Sequence, residues 1–387
     1  HEDKQIYKNR IFYISDKKII KNIKLKTITL TKKEQNYLQN KLLLKKITGN
    51  ISIGNFEGLA ADTRLLKKNN LFLTIKGKNN DVFKFIPDAI KKGAKYIVSS
   101  KVLKKYKKKT IKVKNEISFL NQFAKLKRQN SSAKIIAITG SAGKTSLKNL
   151  VGELLQNFDD TYLSPRSFNN YLGVPISLCN LRADHKYGVF EVGMSKSGEI
   201  KKLSKLIRPH IGIITNIGEA HIENFKNINE IAKAKSEIIE NIKQGGTIVL
   251  NRDDKFYNYL SNKAKKYKLK ISTFGSHKNS DVRLKKVENK GKISRIFINL
   301  NNQVLNFEIK DINIQNVLAS IAVLKELNFD VLNFKSKFKK FESPDGRGKK
   351  YSIHRYNKNF KFIDESYNAN PLSVKNAIRK FNSIKKD

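Results

Sequence analysis

The residue types with the clearest chemical meaning are glycine, lysine and threonine, packed into one short segment. Glycines there would let backbone N–H groups turn inward around phosphate oxygens, while a lysine can meet the β and γ phosphates. A threonine hydroxyl beside that lysine is a ligand for Mg²⁺. Ile138 stands where the usual G-x-x-x-x-G-K-T loop has its first glycine, and an ordinary glycine-rich turn is the alternative. We predict a phosphate-binding loop formed by Thr139, Gly140, Ser141, Ala142, Gly143, Lys144, Thr145 and Ser146.

Other residues that could do chemistry follow later apolar runs. Glu191 ends one run, and its carboxylate could hold Mg²⁺, although a single acid at a strand end is more often solvated or salt-bridged. His221 follows another run, where an imidazole could ligate a metal ion, orient a phosphate or be structural. Lys233 and Lys235 lie in a predicted helix and would ordinarily be assigned to the surface.

The segments that must position these residues have the pattern of a parallel sheet covered by helices. From about residue 131, apolar runs alternate with helical patterns, and the first predicted helix extends from Ser146 to Leu155. Because ligands of open α/β sheets bind outside the carboxyl ends of strands, the candidates should meet at one edge. The predicted strands are Lys134–Thr139, Tyr187–Val192, His210–Ile217, Gly246–Leu250 and Lys270–Phe274. Before residue 131 lies a smaller α/β region, which includes Asn70–Ile75, the helical stretch Phe83–Lys92 and Ala94–Val98.

The composition is that of a globular but very basic chain, with 79 Lys and Arg against 33 Asp and Glu in 387 residues. The lysines are spread along the whole chain with abundant Ile and Asn, so compositional drift explains the charge better than a nucleic-acid site. The basic segment Lys101–Thr110 is interpreted as a solvated face. One cysteine, Cys179, excludes an intramolecular disulfide framework and fits a reducing compartment. With no apolar stretch of ~20 residues and no signal-peptide pattern, we expect a cytoplasmic protein without membrane insertion.

Several ordered blocks of residues resemble the ATP-dependent Mur ligases of peptidoglycan synthesis. Within that family the resemblance is to members that add D-alanyl-D-alanine to UDP-N-acetylmuramoyl-tripeptide, and it extends from about residue 45 to Asp387. The block Asp364–Pro371 is the most discriminating, because it separates these members from ligases that add single amino acids. The other blocks are Ala61–Arg64 with Leu71–Phe72 and Lys76–Gly77, Thr139–Thr145, Ser167–Asn170 with Gly173–Pro175, Glu191–Met194 with Gly198–Ile200, Asn216–Glu223 and Ile231–Ile238.

The resemblance implies an α/β protein of three domains. Residues 26–130 would bind the UDP-linked substrate, residues 131–345 would form a central ATP-binding domain on a mostly parallel sheet, and residues 346–387 would begin a Rossmann-like domain. We expect that third domain to be incomplete here and the chain to turn over poorly. Residues 1–25 resemble the C-terminal tail of the preceding, tripeptide-forming Mur ligase, with a basic extension as the alternative. We therefore expect a monomer or part of a fused ligase pair.

The resemblance also implies a reaction and the residues that perform it. ATP would phosphorylate the terminal carboxylate of the tripeptide, and the amine of D-alanyl-D-alanine would attack the resulting acyl phosphate. Lys144 and Mg²⁺ would offset the repulsion between the carboxylate and the γ-phosphate. Thr145 and Glu191 would hold one magnesium ion and His221 would help to hold the second. Lys235 matches a lysine that many family members carry as a metal-binding carbamate.

Further residues are assigned to ligands through the same resemblance. Asn313 and Asn316 would contact adenine, although Ile312 stands where the family usually has histidine. Arg347 would contact the nucleotide, with an interdomain salt bridge as the alternative, and Glu365 would meet the ribose. The substrate-binding residues would be Asp62, Thr63, Arg64, Lys76, Asn169 and Asn170, while Asp81-Val82-Phe83 departs from the family's usual Asp-Gly-His.

Two other readings remain open from the sequence. The first is a related ligase acting on a different acid, such as a folylpolyglutamate-type or single-amino-acid Mur enzyme, which the block Asp364–Pro371 argues against. The second is a basic nucleic-acid-binding NTPase or an inactive scaffold, which would bind DNA in a salt-sensitive manner.

Overall fold

The structure is a computed structural model of the chain and describes residues 6–7, 10–11, 28–49, 53–77, 81–220, 222–290, 293–310, 312–367 and 371–382. It divides into two compact units, which we call unit 1 and unit 2. Unit 1 is His1–Ser131 with Arg182–Asp184, and unit 2 is Ser132–Leu181 with His185–Asp387. The expected third domain from residue 346 belongs to unit 2 in this division, and its boundary stays a prediction. Most of residues 1–25 lie outside the described residues, so the interpretation of that segment also stays a prediction.

Unit 1 contains two small sheets. One is antiparallel, in the order β1 (Ile6–Tyr7), β2 (Arg10–Ile11) and β3 (Ile28–Thr29). The other is parallel, in the order β4 (Leu59–Ala60), β5 (Leu71–Leu73), β6 (Tyr96–Ser99) and β7 (Thr110–Lys112). The helices are α1 (Lys32–Thr48), α2 (Ile86–Lys91) and α3 (Glu116–Gln129), with 3₁₀ turns at Val82–Phe85 and Lys104–Lys109.

Local sequence signals account for the ends of the helices in unit 1. Thr31 and Glu34 form a capping box at the start of α1, and Gly49 ends the helix in the left-handed conformation. The helical stretch predicted over Phe83–Lys92 consists of a 3₁₀ turn followed by α2, and Pro87 occupies the first turn of α2, where it needs no N–H partner. The lysines of the segment Lys101–Thr110 are exposed, as predicted for a solvated face.

Unit 2 is built on one nine-stranded sheet, in the order β16-β15-β14-β13-β12-β11-β8-β10-β9. Strands β8 to β13 are parallel, β14 joins β13 in parallel, and β14, β15 and β16 pair antiparallel. The strands are β8 (Lys134–Thr139), β9 (Thr161–Leu163), β10 (Tyr187–Glu191), β11 (Ile211–Ile214), β12 (Thr247–Asn251), β13 (Lys270–Gly275), β14 (Val282–Lys290), β15 (Ile293–Leu300) and β16 (Gln303–Ile309).

Helices cover this sheet, and a hairpin follows it. Helices α4 and α9 contribute much of the apolar core, where Leu147 and Val317 belong to the same buried cluster as Ile136 and Ile138 of β8. The remaining strands β17 (Lys349–Arg355) and β18 (Lys358–Asp364) form a separate antiparallel pair. The helices are α4 (Lys144–Gln156), α5 (Gly173–Cys179), α6 (Glu199–Ile207), α7 (Ile228–Ser236), α8 (Tyr257–Lys266), α9 (Ile314–Glu326), α10 (Lys335–Lys340) and α11 (Pro371–Asn382), with 3₁₀ turns at Ile222–Asn224, Glu237–Asn241 and Val331–Phe334.

The strand order creates a place for a ligand. Strand β8 lies between β10 on one side and β11 on the other, so the chain changes direction across the sheet at β8. Crevices at such switch points, outside the carboxyl ends of strands, are where open α/β sheets bind ligands. The predicted α/β fold with a mostly parallel sheet is confirmed. Across the described residues, every helix is too short or too polar to cross a membrane.

Candidate functional site

The segment between β8 and α4 is a tight glycine turn whose shape depends on both of its glycines. Gly140 has φ of 145°, and a Cβ placed on it would lie 1.9 Å from Thr215 Oγ1. Gly143 has φ of 81°, and a Cβ there would lie 2.9 Å from Asn316 Oδ1. Gly143 also caps α4, whose first-turn N–H groups lack partners within the helix. A helix N-terminus preceded by such a turn is suited to binding phosphate.

The residues after β11 hold this turn in place. Thr215 Oγ1 donates to the Ala142 carbonyl oxygen at 2.7 Å, and Asn216 Oδ1 accepts from the Ala142 N–H at 2.9 Å. Ser141 Oγ donates to the Gly218 carbonyl oxygen and accepts from the Gly218 N–H, each at 2.8 Å. The prediction of a strand over His210–Ile217 was therefore wrong beyond Ile214, because the chain leaves the sheet there to bond with the turn.

A half-buried acid supports the same segment. Asp254 Oδ2 accepts from the Ile217 N–H at 2.7 Å, and Asp254 Oδ1 accepts from the Phe256 N–H at 2.9 Å. Burial raises the pKa of Asp254, and these two hydrogen bonds oppose that rise. The sequence interpretation missed Asp254, since an acid after a strand gives no sign of the segment it will bind.

Two lysines converge on one backbone oxygen of the turn. Lys144 Nζ donates to the Gly140 carbonyl oxygen at 2.9 Å, and Lys235 Nζ, from α7, donates to the same oxygen at 3.2 Å. Burial lowers the pKa of Lys235 well below its usual value, and the charge of Lys144 lowers it further. Burial also lowers the pKa of Lys144, with Glu191 opposing and Arg347 reinforcing that effect. Two basic side chains therefore lie at the turn, and Lys235 holds its proton less tightly than an exposed lysine does.

Glu191 is a buried carboxylate held by two neutral side chains. It is 1% exposed, accepts from Thr145 Oγ1 at 2.6 Å and accepts from Asn169 Nδ2 at 2.7 Å. In the part of the chain that the structure describes, no basic side chain forms an ion pair with it, although buried charges are normally paired or bound to metal. A carboxylate beside a hydroxyl fits Mg²⁺, which takes oxygen ligands and keeps several waters.

Among the described residues, no three or more His, Cys, Asp or Glu side chains gather in a metal-binding group. His221, the predicted ligand of a second magnesium ion, lies outside the described residues. Mg²⁺ held by one or two protein oxygens together with phosphate oxygens agrees with this donor set.

The residues predicted to bind adenine lie beside the turn. Asn316 Nδ2 donates to the Gly143 carbonyl oxygen at 3.3 Å. Asn313 Oδ1 caps α9 by accepting from the N–H groups of Gln315 and Asn316, so its amide nitrogen is the group it can offer a base. Ile312, in the position of the family's histidine, is 8% exposed and part of the apolar core.

The residues predicted to meet the rest of the nucleotide lie near the end of unit 2. The Arg347 guanidinium stacks 4.2 Å from the ring centre of Tyr367, and its charge acts on Lys144. Glu365 is exposed. Part of the most discriminating block, residues 368–370, lies outside the described residues.

The predicted substrate-binding residues fall in both units. In unit 1, Arg64 makes a bidentate contact with Asp62, its Nη2 lying 2.7 Å from Oδ2, and the Thr63 carbonyl oxygen accepts from Lys92 Nζ at 3.2 Å. Lys76 is exposed. In unit 2, Asn169 contacts Glu191, and Asn170 Oδ1 accepts from the N–H groups of Leu172 and Gly173 at the start of α5.

The chain is similar to known proteins over most of its length. A family model described as the Mur ligase middle domain matches residues 138–324. A UDP-N-acetylmuramoyl-tripeptide–D-alanyl-D-alanine ligase from Rickettsia prowazekii (strain Madrid E) is 34% identical over 327 residues, which is 83% of this chain and 72% of the relative. A ligase of the same name from Bacillus subtilis (strain 168) is 28% identical over 330 residues, 84% of this chain and 70% of that relative.

A solved structure shows the same architecture. A crystal structure of MurF from Acinetobacter baumannii matches with a TM-score of 0.77 at 27% identity, covering 89% of this chain and 76% of that chain. The family-model match includes the phosphate-loop candidate, Glu191, Lys235 and Asn316, which the structure brings together. On this sequence identity and coverage, the chain belongs to the Mur ligase family, among the UDP-N-acetylmuramoyl-tripeptide–D-alanyl-D-alanine ligases.

Proposed function

We propose that the carboxyl edge of the sheet in unit 2 activates a carboxylate with ATP so that an amide bond can form. The members of the family to which this chain belongs join D-alanyl-D-alanine to UDP-N-acetylmuramoyl-tripeptide at the expense of ATP, a step of peptidoglycan synthesis, and we assign that reaction to this chain. The observation that carries the proposed site is the buried Glu191 carboxylate, which accepts from Thr145 of the phosphate loop and acts electrostatically on Lys144, one of the two lysines that converge on Gly140.

The proposed roles follow from charge. The substrate carboxylate and the γ-phosphate repel each other, so bringing them together needs fixed positive charge that costs little reorganisation. The N–H groups of residues 143–146, at the start of α4, would bind the phosphates, because the N–H groups of Ser141 and Ala142 already donate to Asn216. Lys144 would neutralise the transferring phosphoryl group. Thr145 and Glu191 would hold Mg²⁺, which supplies further positive charge at the phosphate oxygens when it is bound. The tripeptide carboxylate would then be phosphorylated, and the D-alanyl-D-alanine amine would displace phosphate from the acyl phosphate.

Lys235 has the environment that a carbamate requires. Carbamate formation joins CO₂ to a neutral amine, and a lowered pKa enlarges the neutral fraction at neutral pH. The Lys235 side chain is 2% exposed, and both burial and Lys144 lower its pKa. A carbamate here would replace an ammonium close to Lys144 with an anion, and would add oxygen ligands for a metal ion near the phosphate loop.

The remaining assignments are proposals of the same kind. Asp62, Thr63, Arg64 and Lys76 of unit 1 would bind the UDP end of the substrate, where basic side chains suit a diphosphate. Asn313, Asn316, Arg347 and Glu365 would contact the nucleotide. We place the reaction in the cytoplasm, where ATP is available and the buried thiol of Cys179 stays reduced.

The test is the amount of product after a long incubation, because even a slow enzyme then accumulates enough product to detect. The chain is incubated with ATP, Mg²⁺, UDP-N-acetylmuramoyl-tripeptide and D-alanyl-D-alanine, and the product is detected by mass spectrometry. We expect an adduct of tripeptide and dipeptide minus water, with ADP in equal amount, and no adduct from Lys144→Ala. Product from a single amino acid but not from the dipeptide would contradict the proposal.

A further inference from the structure

Lys148 is a buried ammonium one turn along α4 from the phosphate loop. The residue is 1% exposed, and its Nζ donates to the carbonyl oxygens of Ser164 and Arg166, each at 2.6 Å. Lys144 and Lys148 are four residues apart and therefore lie on the same face of the helix. Burying an ammonium costs free energy unless the group is well hydrogen-bonded. The presence of a lysine at this buried position therefore calls for an explanation.

The two carbonyl groups belong to a loop that leads to Glu191. Ser164 fixes one end of this loop, because its N–H donates to the Val189 carbonyl oxygen at 3.0 Å and its Oγ accepts from the Glu191 N–H at 3.3 Å. Farther along, Asn169 Nδ2 donates to the Glu191 carboxylate at 2.7 Å, and Ser167 Oγ bonds to Tyr367 Oη. Residues 164–169, which we call the lysine-anchored loop, therefore contact Glu191 at its backbone and at its side chain.

The loop carries backbone strain at the residue that Lys148 binds. Arg166 has φ of 45°, a left-handed conformation that non-glycine residues rarely adopt. Strained backbone of this kind persists only where the surroundings over-determine it, and it is concentrated at functional sites. The Lys148 ammonium supplies such a constraint, since it binds the carbonyl groups on either side of Pro165 at once.

The charged groups around Lys148 tie it to the site. Burial lowers its pKa to about 8, while Glu191 acts to raise the pKa and Arg347 acts to lower it. Lys148 thus lies within electrostatic reach of the acid proposed to hold Mg²⁺, although no hydrogen bond between the two is described.

We propose that Lys148 is a positioning residue that sets Asn169 against Glu191 and thereby orients the Glu191 carboxylate for Mg²⁺. The effect of Lys148 on Mg²⁺ binding rests on the proposed function, whereas its effect on the order of the loop does not. A partner that orients a metal-binding carboxylate commonly contributes tenfold or more to metal affinity.

The first experiment measures loop order without any ligand. Hydrogen–deuterium exchange of the nucleotide-free full chain is compared among wild type, Lys148→Met and Lys127→Met. Lys127 is the matched control because it is equally buried at 1% and donates to amide oxygens of Asn40 and Gln39, but it lies in unit 1. We expect exchange of residues 164–170 to rise several-fold in Lys148→Met alone, and unchanged exchange there would overturn the proposal.

The second experiment measures the consequence for the metal. Binding of a fluorescent ADP analogue is titrated with Mg²⁺ and, separately, measured in EDTA. We expect Lys148→Met to weaken the apparent Mg²⁺ affinity about tenfold and to change binding in EDTA by less than about twofold. Asn169→Ala should have a similar effect, and the double variant should be little worse than either single variant, since both act through one contact. Additive effects would contradict the proposed route through Asn169.

The outcomes separate the two proposals. Wild-type chain that binds no nucleotide with Mg²⁺ would refute the proposed function, whereas the exchange result would still decide whether Lys148 orders the loop. If Lys148→Met loses its circular dichroism signal, Lys148→Arg carries the test. Its guanidinium keeps the charge and can donate to two carbonyl oxygens, but it is larger than the ammonium. The Lys148 site is 1% exposed, so the loop must move to admit the larger group and its exchange should rise above that of the Lys127→Met control. A wild-type exchange pattern in Lys148→Arg would then count against the inference.

Discussion

At the scale of single residues, the most informative contacts are those of Lys144 and Lys235, which both donate to the carbonyl oxygen of Gly140. Two ammonium groups on one acceptor repel each other, and burial adds to the cost of charging the less exposed one. Loss of the Lys235 proton would remove this repulsion, and the pKa of Lys235 is lowered, which favours that loss. The neutral amine is the form that reacts with CO₂, and a lowered pKa gives Lys235 a larger neutral fraction than an exposed lysine has.

This reasoning predicts a chemical rescue. Lys235→Ala should lower product formation in the complete reaction by about a hundredfold or more, because it removes charge-stabilising ligands from the phosphoryl-transfer site. Short carboxylic acids such as acetate or formate should restore part of the activity, since they return a carboxylate to the space left by the side chain. The measurement is ADP formation as a function of carboxylate concentration.

Lys233 provides the control for that prediction. It lies two residues away on the same helix and is exposed, so Lys233→Ala should retain activity and respond to no carboxylate. Full activity of Lys235→Ala without added carboxylate would remove Lys235 from the site. A carbamate should also give a carbonyl signal in a ¹³C NMR spectrum of wild-type chain equilibrated with labelled bicarbonate, and no such signal in Lys235→Ala.

At the scale of secondary-structure elements, the turn before α4 can be tested with a pair of glycines. Gly143 and Gly198 cap the starts of α4 and α6, with φ values of 81° and 84°. A Cβ on Gly198 would meet nothing within 4 Å, but a Cβ on Gly143 would lie 2.9 Å from Asn316 Oδ1. Alanine at Gly198 therefore measures backbone strain alone, while alanine at Gly143 adds a collision with the residue proposed to contact adenine.

We expect both alanine variants to lose about 1–2 kcal/mol of unfolding free energy, the cost of left-handed backbone for a residue with a Cβ. Only Gly143→Ala should also weaken binding of the ADP analogue, because Asn316 must move away from the turn. Denaturant unfolding and nucleotide titration measure the two effects separately. Equal nucleotide affinity in both variants would argue against a role for the contact between Gly143 and Asn316.

The same elements show what the sequence could predict. The apolar run Lys134–Thr139 predicted β8 to the residue, because a buried strand flanked by turn-forming residues has a strong local signal. The strand at His210–Ile217 was predicted three residues too long at its carboxyl end, since Thr215 and Asn216 leave the sheet for hydrogen bonds with Ala142, which is distant in sequence. Local pattern cannot report a partner more than seventy residues away.

The abundance of lysine made other parts of the site hard to recognise from the sequence. The phosphate loop and Glu191 could be predicted, because their residue types are specific and follow strands directly. Lys148 could not, since it is one basic residue among 79 and its importance lies in burial and in two carbonyl partners. Asn169 was predicted to contact substrate, but its position against Glu191 depends on the fold of a loop with little pattern of its own.

At the scale of the whole molecule, each of the two units contains an apolar cluster of its own among the described residues. Phe72, Ile86 and Ile97 belong to a cluster formed within unit 1, while the large cluster around Ile136 and Val317 is formed within unit 2. A unit with its own core can in principle fold alone. The proposed ligands divide along the same line, with the UDP-binding residues Asp62, Thr63, Arg64 and Lys76 in unit 1 and the phosphate loop in unit 2.

This separation predicts that the two binding activities can be uncoupled. A fragment of residues 132–387, which is unit 2 with Arg182–Asp184, should fold and bind the ADP analogue with Mg²⁺ to within about threefold of the full chain, since it contains the whole large apolar cluster. The fragment should not bind UDP, whereas the full chain should bind UDP and lose that binding in Arg64→Ala without losing nucleotide binding to unit 2. Calorimetric titration of each protein with UDP and with Mg²⁺ and ADP measures all four quantities. Retention of UDP binding by the fragment would place the UDP site in unit 2, and loss of ADP binding from a folded fragment would show that unit 1 helps to form the nucleotide site.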